Sequence, residues 1–291
     1  GARLSVSVGT SPAGPGAGQR ITSAALTETG AGCRRLLSGA GVFRDRPGLA
    51  ILGAGGHSKG HGQALQRVRR ENPDRIARVA VCDLDESKAR AYADRFGFEH
   101  VYTDLDAMIR EERPDGLMAI TPVVLTESIV SRLLPLGIPL LIEKPPGADF
   151  AAARRLRDLA DRHATPHMVS LNRRFMPSIA KALAWIQEDP ANRKPQFALA
   201  RMYRVERREP DFAFATGIHT VDTVCAFLGT PRKISTLRSA MPAPGCYLYN
   251  AHLYFGEEPV ATVLLAPDID RTEESYDFYG YYFHIRINAI S

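Results

Sequence analysis

Cysteine is scarce, four residues in 291, and Cys33, Cys82, Cys225 and Cys246 lack the spacing of a disulfide frame or a zinc site. They read as reduced thiols, the state expected in a cytoplasmic protein. Long apolar runs are missing too. Leu133 to Ile142 falls short of the roughly 18 residues of a membrane span and contains two prolines, so no membrane partner is expected. Most of the chain also lacks a basic excess. The formal net charge is +5, but Arg3, Arg20, Arg34, Arg35, Arg44 and Arg46 against Glu28 and Asp45 place +4 of it before residue 49, leaving +1 for the remainder. That excludes the basic face of a nucleic-acid binder. His57, His61, His163, His167, His252 and His284 show no metal-ligand spacing with acids or cysteines, so no metal is expected. Position 1 is Gly and not Met, as in a fragment or a processed chain. Residues 1–48 are rich in Gly, Ala, Ser and Arg, have no periodicity, and read as a disordered extension. Their Arg-rich, acid-poor make-up is that of an organelle transit peptide, or of an upstream extension or gene-model artefact. At 45% hydrophobic and 24% charged, the composition is that of an ordinary globular protein, long enough for about two domains.

What is present begins at residue 49. Leu49 to Leu52 is a short apolar run that stops at Gly53-Ala54-Gly55-Gly56-His57-Ser58, and a helix-forming stretch follows from Gly62 to Arg70. Strand, glycine turn and helix form the context in which such glycines bind a pyrophosphate. Gly53 permits the tight turn, Gly55 lets an anion approach the backbone, and the N–H groups and dipole of the helix start favour that anion. The third glycine of the pattern falls on Ser58, small enough for helix–strand packing to survive. A plain glycine loop is the alternative. Arg78 to Cys82 is a second apolar run, ending in Asp83. An acid there accepts hydrogen bonds from ribose hydroxyls and repels a 2′-phosphate, which favours NAD over NADP. Alternatively, Asp83 and Asp85 only cap the next helix.

Strands and helices alternate from Leu49 to Ile142, with strands at Gly116 to Ile120 and Ile138 to Ile142 and a helix between them that runs to Leu136 and ends at Gly137, so the fold class expected is α/β, a Rossmann-type doubly wound parallel sheet. Gly53, Asp83, Thr121-Pro122 and Glu143-Lys144 all fall at carboxyl ends of its strands, where such sheets bind ligands. After Pro145 comes a helix over Phe150 to Arg162, then a strand at Met168 to Leu171 and a helix at Ile179 to Ile186. Strands dominate from Phe197 onward, the last of them spanning Tyr276 to Ile287. That pattern predicts an α+β domain with a largely antiparallel sheet. The domains expected are 1–48 as extension, 49–166 for the dinucleotide and 167–291 for substrate and self-association. The last ends without a closing element, as if truncated.

Lys144 closes the last strand of the parallel sheet, where an ammonium can hydrogen-bond a reacting oxygen and stabilise developing alkoxide charge, with Glu143 to orient it. A surface ion pair is the bland alternative. His219 begins a helix in Gly217-Ile218-His219-Thr220-Val221-Asp222 and can accept a hydroxyl proton near neutral pH, with Asp222 three residues on to orient its ring. A structural histidine is the alternative. Arg173 and Arg174 follow a strand, so that one of them points into a cleft to fork onto a substrate oxygen, or pairs with a surface acid.

Together these motifs resemble the Gfo/Idh/MocA family of NAD(P)-dependent oxidoreductases. The marks are Gly53-Ala54-Gly55 with His61 ending the loop, Asp83, Thr121-Pro122, Glu143-Lys144-Pro145, Asn172-Arg173-Arg174-Phe175 and the Gly217–Asp222 stretch, in the family's order. The resemblance implies NAD as cofactor, oxidation or reduction of a sugar, inositol or related polyol, Lys144 and His219 as the proton-handling pair, and a homodimer formed through the second-domain sheet. Ser58 replaces a fingerprint glycine, Thr126 stands where a histidine often follows the Thr-Pro turn, and Ala215, four residues before His219, replaces an aspartate that many members carry. Ala215 motivates the rival reading, a dinucleotide-binding regulator or structural member without turnover.

Overall fold

The structure is a computed structural model that describes residues 3–8, 46–256 and 260–290. In chain order the elements are β1 (Arg3–Val8), β2 (Gly48–Leu52), α1 (Ser58–Glu71), β3 (Arg78–Cys82), α2 (Glu86–Phe96), β4 (His100–Tyr102), α3 (Leu105–Glu112), β5 (Gly116–Ala119), α4 (Val123–Leu133), β6 (Leu140–Ile142), α5 (Phe150–His163) and β7 (His167–Val169). Then come α6 (Pro177–Glu188), β8 (Pro195–Tyr203), α7 (Phe212–Ala215), α8 (Ile218–Leu228), β9 (Lys233–Ala240), β10 (Tyr247–Tyr254), β11 (Val260–Ala266), β12 (Glu273–Gly280) and β13 (Phe283–Ile290). They fall into two compact units, one ending at Ser170 and the other running from Leu171 with β1 added.

The first unit is a six-stranded sheet in the order β4-β3-β2-β5-β6-β7, every neighbouring pair parallel. Its strands are covered on both faces, so Ala50 and Ile51, which point to opposite sides, are both fully buried. Ile51, Val79 and Val81 pack with Leu65, Tyr92 and Phe96 on one face; Ala50, Leu117 and Ile142 pack with Val130 and Leu156 on the other. Local signals set the helix ends. Asp85 caps α2 by accepting from the Lys88 N–H, and Gly97 ends it in the left-handed conformation, φ +73°. The order of strands reverses between β2 and β5, the switch point at which such sheets open a crevice.

The second unit is a seven-stranded sheet in the order β1-β13-β12-β8-β11-β10-β9, antiparallel except for β8 with β11. Alternate residues of its strands, Ala200 and Met202, Tyr276 and Phe278, Ile285 and Ile287, join Ile179, Phe212 and Val224 of the helices in one core.

The structure departs from the sequence reading in four places. Met168 to Leu171 was expected to open the second domain, but β7 pairs with β6 in register Ile142 to Val169, so the first unit extends to Ser170 and not to 166. The single strand expected over Tyr276 to Ile287 is a hairpin turning at Tyr281-Tyr282, with Tyr282 at φ +93°. Two tyrosines carry no turn signal. Gly280 does: a Cβ there would lie 1.9 Å from the Phe283 ring. Helix α4 ends at Leu133, and Leu134–Leu136 tightens into a 3-10 turn before Gly137. Finally, part of the expected disordered extension is strand: β1 pairs with β13 from Arg3 opposite Asn288 to Val8 opposite Phe283. Leu4, Val6 and Val8 alternate with polar residues in sequence, the strand period, and β13 would otherwise present an open edge. The rest of that expectation, residues 9–45, lies outside the described residues.

Candidate functional site

The carboxyl ends of β2, β3 and β5 are held together by backbone bonds. The Gly53 N–H donates to the Cys82 carbonyl at 2.8 Å, and the Ile120 N–H donates to the Leu52 carbonyl at 2.8 Å. Gly53 has φ +105°, and a Cβ on it would lie 2.2 Å from the Ile120 carbonyl oxygen, so two independent constraints demand glycine. Beyond it the loop opens. A Cβ on Gly55 or Gly56 would meet no atom within 4 Å, so protein packing does not require these two glycines. The space they leave fits a group that approaches the backbone closely, as a pyrophosphate does. His57 and Gly56 are exposed beside the start of α1, whose first turn has no side-chain cap. Ser58, at the third fingerprint position, is buried and donates its hydroxyl to the Gly55 carbonyl at 2.7 Å, which fixes the loop. Close helix packing is carried one turn later, by Gly62: a Cβ there would lie 2.6 Å from both the Tyr92 hydroxyl and the Phe96 ring.

Asp83 accepts from the Ala54 N–H at 2.8 Å through one carboxylate oxygen and from the Asp85 N–H at 3.0 Å through the other. It thus ties the glycine turn to the end of β3, while the cap of α2 is made by Asp85. Each oxygen has a second acceptor site for a ribose hydroxyl. At the end of β5, the hydroxyls of Thr121 and Thr126 are 3.2 Å apart, and Thr126 donates to the Pro122 carbonyl at 3.3 Å. Thr126, buried where a histidine was the family expectation, therefore stabilises the Thr121-Pro122 turn.

Glu143 and Lys144 follow β6, both half-buried. The Glu143 N–H continues the ladder to the Ala119 carbonyl at 3.0 Å. Its carboxylate lies 3.1 Å from Nε2 of His61, on α1. Burial pushes the Glu143 carboxyl up, but the His61 hydrogen bond and the charges of His61 and Lys144 outweigh it and hold it below the usual carboxylate range. His61 was legible as the end of the loop, but its partner, 82 residues away, was not.

In the second unit, Arg173 and Arg174 lie on a 3-10 turn, Asn172–Phe175, and both forks are committed to carboxylates. Arg173 donates through Nε and Nη2 to Glu274 at 2.7 and 3.1 Å, and through Nη1 to Asn172. Arg174 donates through Nε and Nη2 to Asp222 at 2.7 and 2.6 Å. Asp222, expected to orient His219, presents both oxygens to Arg174. The guanidinium of Arg173, for which a substrate oxygen and an acid were both open, is held by Glu274. Arg174 remains part-exposed; His219 is buried near the start of α8. Glu274 is fully buried and also accepts from Arg204 at 2.6 Å and from the Tyr276 hydroxyl at 2.8 Å. Sequence reasoning missed Glu274, Arg204 and Tyr276. The available signal was an acid in strand register with Tyr276 and Phe278, since a carboxylate on an apolar face needs buried cations.

Among the described residues, no group of three or more His, Cys, Asp and Glu is placed to hold a metal, and no helix is long and apolar enough to cross a membrane. Cys82, Cys225 and Cys246 are free thiols; Cys33 lies outside the described residues.

Residues 48–171 match the Gfo/Idh/MocA description "Oxidoreductase family, NAD-binding Rossmann fold". D-apiose dehydrogenase of Paraburkholderia graminis is 31% identical over 130 residues, covering 45% of this chain and 33% of that protein. The chain thus spans about a third to a half of the curated relatives it matches. A myo-inositol dehydrogenase from Corynebacterium glutamicum superimposes with a TM-score of 0.73 at 19% identity, over 84% of this chain and 76% of that one. Levoglucosan dehydrogenase in complex with NADH superimposes with a TM-score of 0.71 at 18% identity, over 81% and 71%. At those identities the likeness is one of fold.

Proposed function

We propose, from the match of residues 48–171 to the Gfo/Idh/MocA oxidoreductase family, that the chain is an NAD-dependent dehydrogenase or reductase acting on a hydroxyl or carbonyl of a sugar or polyol. The observation that carries the proposal is the convergence at one end of the parallel sheet: an open glycine cradle, a carboxylate beside it, and the Glu143-Lys144 tip. Gly53 to Ser58 would receive the pyrophosphate, Asp83 the adenine ribose, and Thr121, Pro122, Glu143 and Lys144 the nicotinamide end. NAD, when bound, supplies the hydride acceptor. Lys144 then donates a hydrogen bond to the reacting oxygen and stabilises the charge that develops there. His219 accepts the hydroxyl proton during oxidation and returns it during reduction. Arg174 and Asp222 form a charged pair that helps shape the substrate side, and Arg173, fixed by Glu274, positions the turn that carries Arg174.

The first unit is assigned to the cofactor, the second to substrate and self-association. A homodimer through the second sheet is supported by its edge strand β9, which leaves Ile234 and Leu237 exposed. The cytoplasm is the compartment proposed, on the three free thiols. Ala215 favours a second reading, a dinucleotide binder without turnover. Incubation with NAD and a panel of aldoses, inositols and alditols separates them. Nicotinamide reduction with at least one compound is expected; NAD binding with no reduction across the panel would favour the binder.

A further inference from the structure

Nothing in the proposed chemistry uses His61, yet its geometry is specific. It stands in the first turn of α1, the helix whose start borders the glycine cradle, and its Nε2 lies 3.1 Å from the Glu143 carboxylate. The two side chains are only 19% and 12% exposed. A carboxylate so far removed from water requires donors or cations. Its neighbours of that kind are the His61 imidazole and Lys144, the next residue, through both its backbone N–H and its positive charge. We infer that His61 is a positioning residue: by holding the Glu143 carboxylate it limits how strongly Glu143 acts on Lys144, and so couples the cofactor-cradle helix to the amine assigned to the reacting oxygen. The inference rests on the proposed role of Lys144. A donor at Nε2 is what the carboxylate needs, so glutamine, whose terminal amide reaches the same place, can stand in for histidine; alanine cannot.

The test reads Lys144 in the cofactor-free protein. Lysines are ¹³C-methylated, the Lys144 resonance is identified by its loss in Lys144→Arg, and its titration is followed by NMR. In His61→Ala, Glu143 is left to Lys144 alone, and the Lys144 titration is expected to rise by about one pH unit. In His61→Gln it stays with the parent. Turnover should follow: kcat falls roughly ten- to a hundredfold in His61→Ala, with the Kd for NAD and the substrate KM within about twofold, and His61→Gln restores it. Should His61→Ala not fold, His61→Asn, too short to reach the carboxylate, carries the same expectation. A Lys144 titration unmoved or lowered by loss of the imidazole, or glutamine behaving like alanine, overturns the inference. A shifted titration in a protein that reduces no NAD would leave the coupling standing and remove the proposed reaction instead.

Discussion

Replacing Lys144 with methionine is expected to lower kcat about 10²- to 10³-fold while the Kd for NAD stays within about twofold of the parent. Methionine keeps the length and apolar body of the side chain and removes only the ammonium. The glycine turn does not depend on that ammonium: Gly53 is fixed by the Cys82 carbonyl and the Ile120 backbone, and Asp83 holds the Ala54 N–H. Affinity and turnover should therefore separate. Stopped-flow measurement of nicotinamide reduction together with NAD titration reads both. Unchanged turnover would remove Lys144 from the chemistry, and a parallel loss of NAD affinity would make it a cofactor contact alone.

The second large effect is structural. Glu274→Gln is expected to destabilise the second unit by about 3–5 kcal/mol, because Arg173 and Arg204 would lose a shared buried counter-charge. Trp185, the sole tryptophan, belongs to that unit, packed edge-on against Phe283 at 5.2 Å, so its fluorescence in a urea titration reports the loss. A midpoint equal to that of the parent would show that the network adds nothing. The same groups make the unit acid-sensitive. Burial pushes the Glu274 carboxyl up, and Arg173, Tyr276 and Arg204 more than offset it, leaving it below the usual range. Asp277 behaves alike, with Arg286, His284 and Arg201 outweighing its burial. Both bind a proton less readily folded than unfolded. Their stabilisation is fully present above the unfolded carboxylate pKa of about 4 and is lost as pH falls below it.

The first unit was almost wholly legible in the sequence because its information is local. Apolar runs, a glycine after β2, an acid after β3 and caps such as Asp85 and Gly97 each act within a few residues of where they are written. The two-sided burial of a parallel sheet makes the runs unambiguous. The strand-end positions of the candidate cofactor residues were legible to the same depth, but not who holds whom. His61 with Glu143, and Arg173 with Glu274, are separated by 82 and 101 residues, and no spacing rule reaches that far. Arg173 and Arg174 looked alike, each open to a substrate oxygen or to an acid, and only the fold names Glu274 and Asp222 as their carboxylates. The hairpin at Tyr281-Tyr282 escaped for a different reason. Its turn residues are bulky and apolar in body, and the one permissive residue, Gly280, acts by making room for Phe283.

Calorimetric titration of NAD and NADP into the parent and into Asp83→Ser bears most directly on a dinucleotide site at the strand tips. The parent should bind NAD at one site per chain and prefer it to NADP, and the serine variant should lose about tenfold or more of that preference, since an acceptor for the ribose hydroxyls and a charge opposing a 2′-phosphate vanish together. No binding of NAD to the folded parent, or the same preference in both proteins, would contradict it.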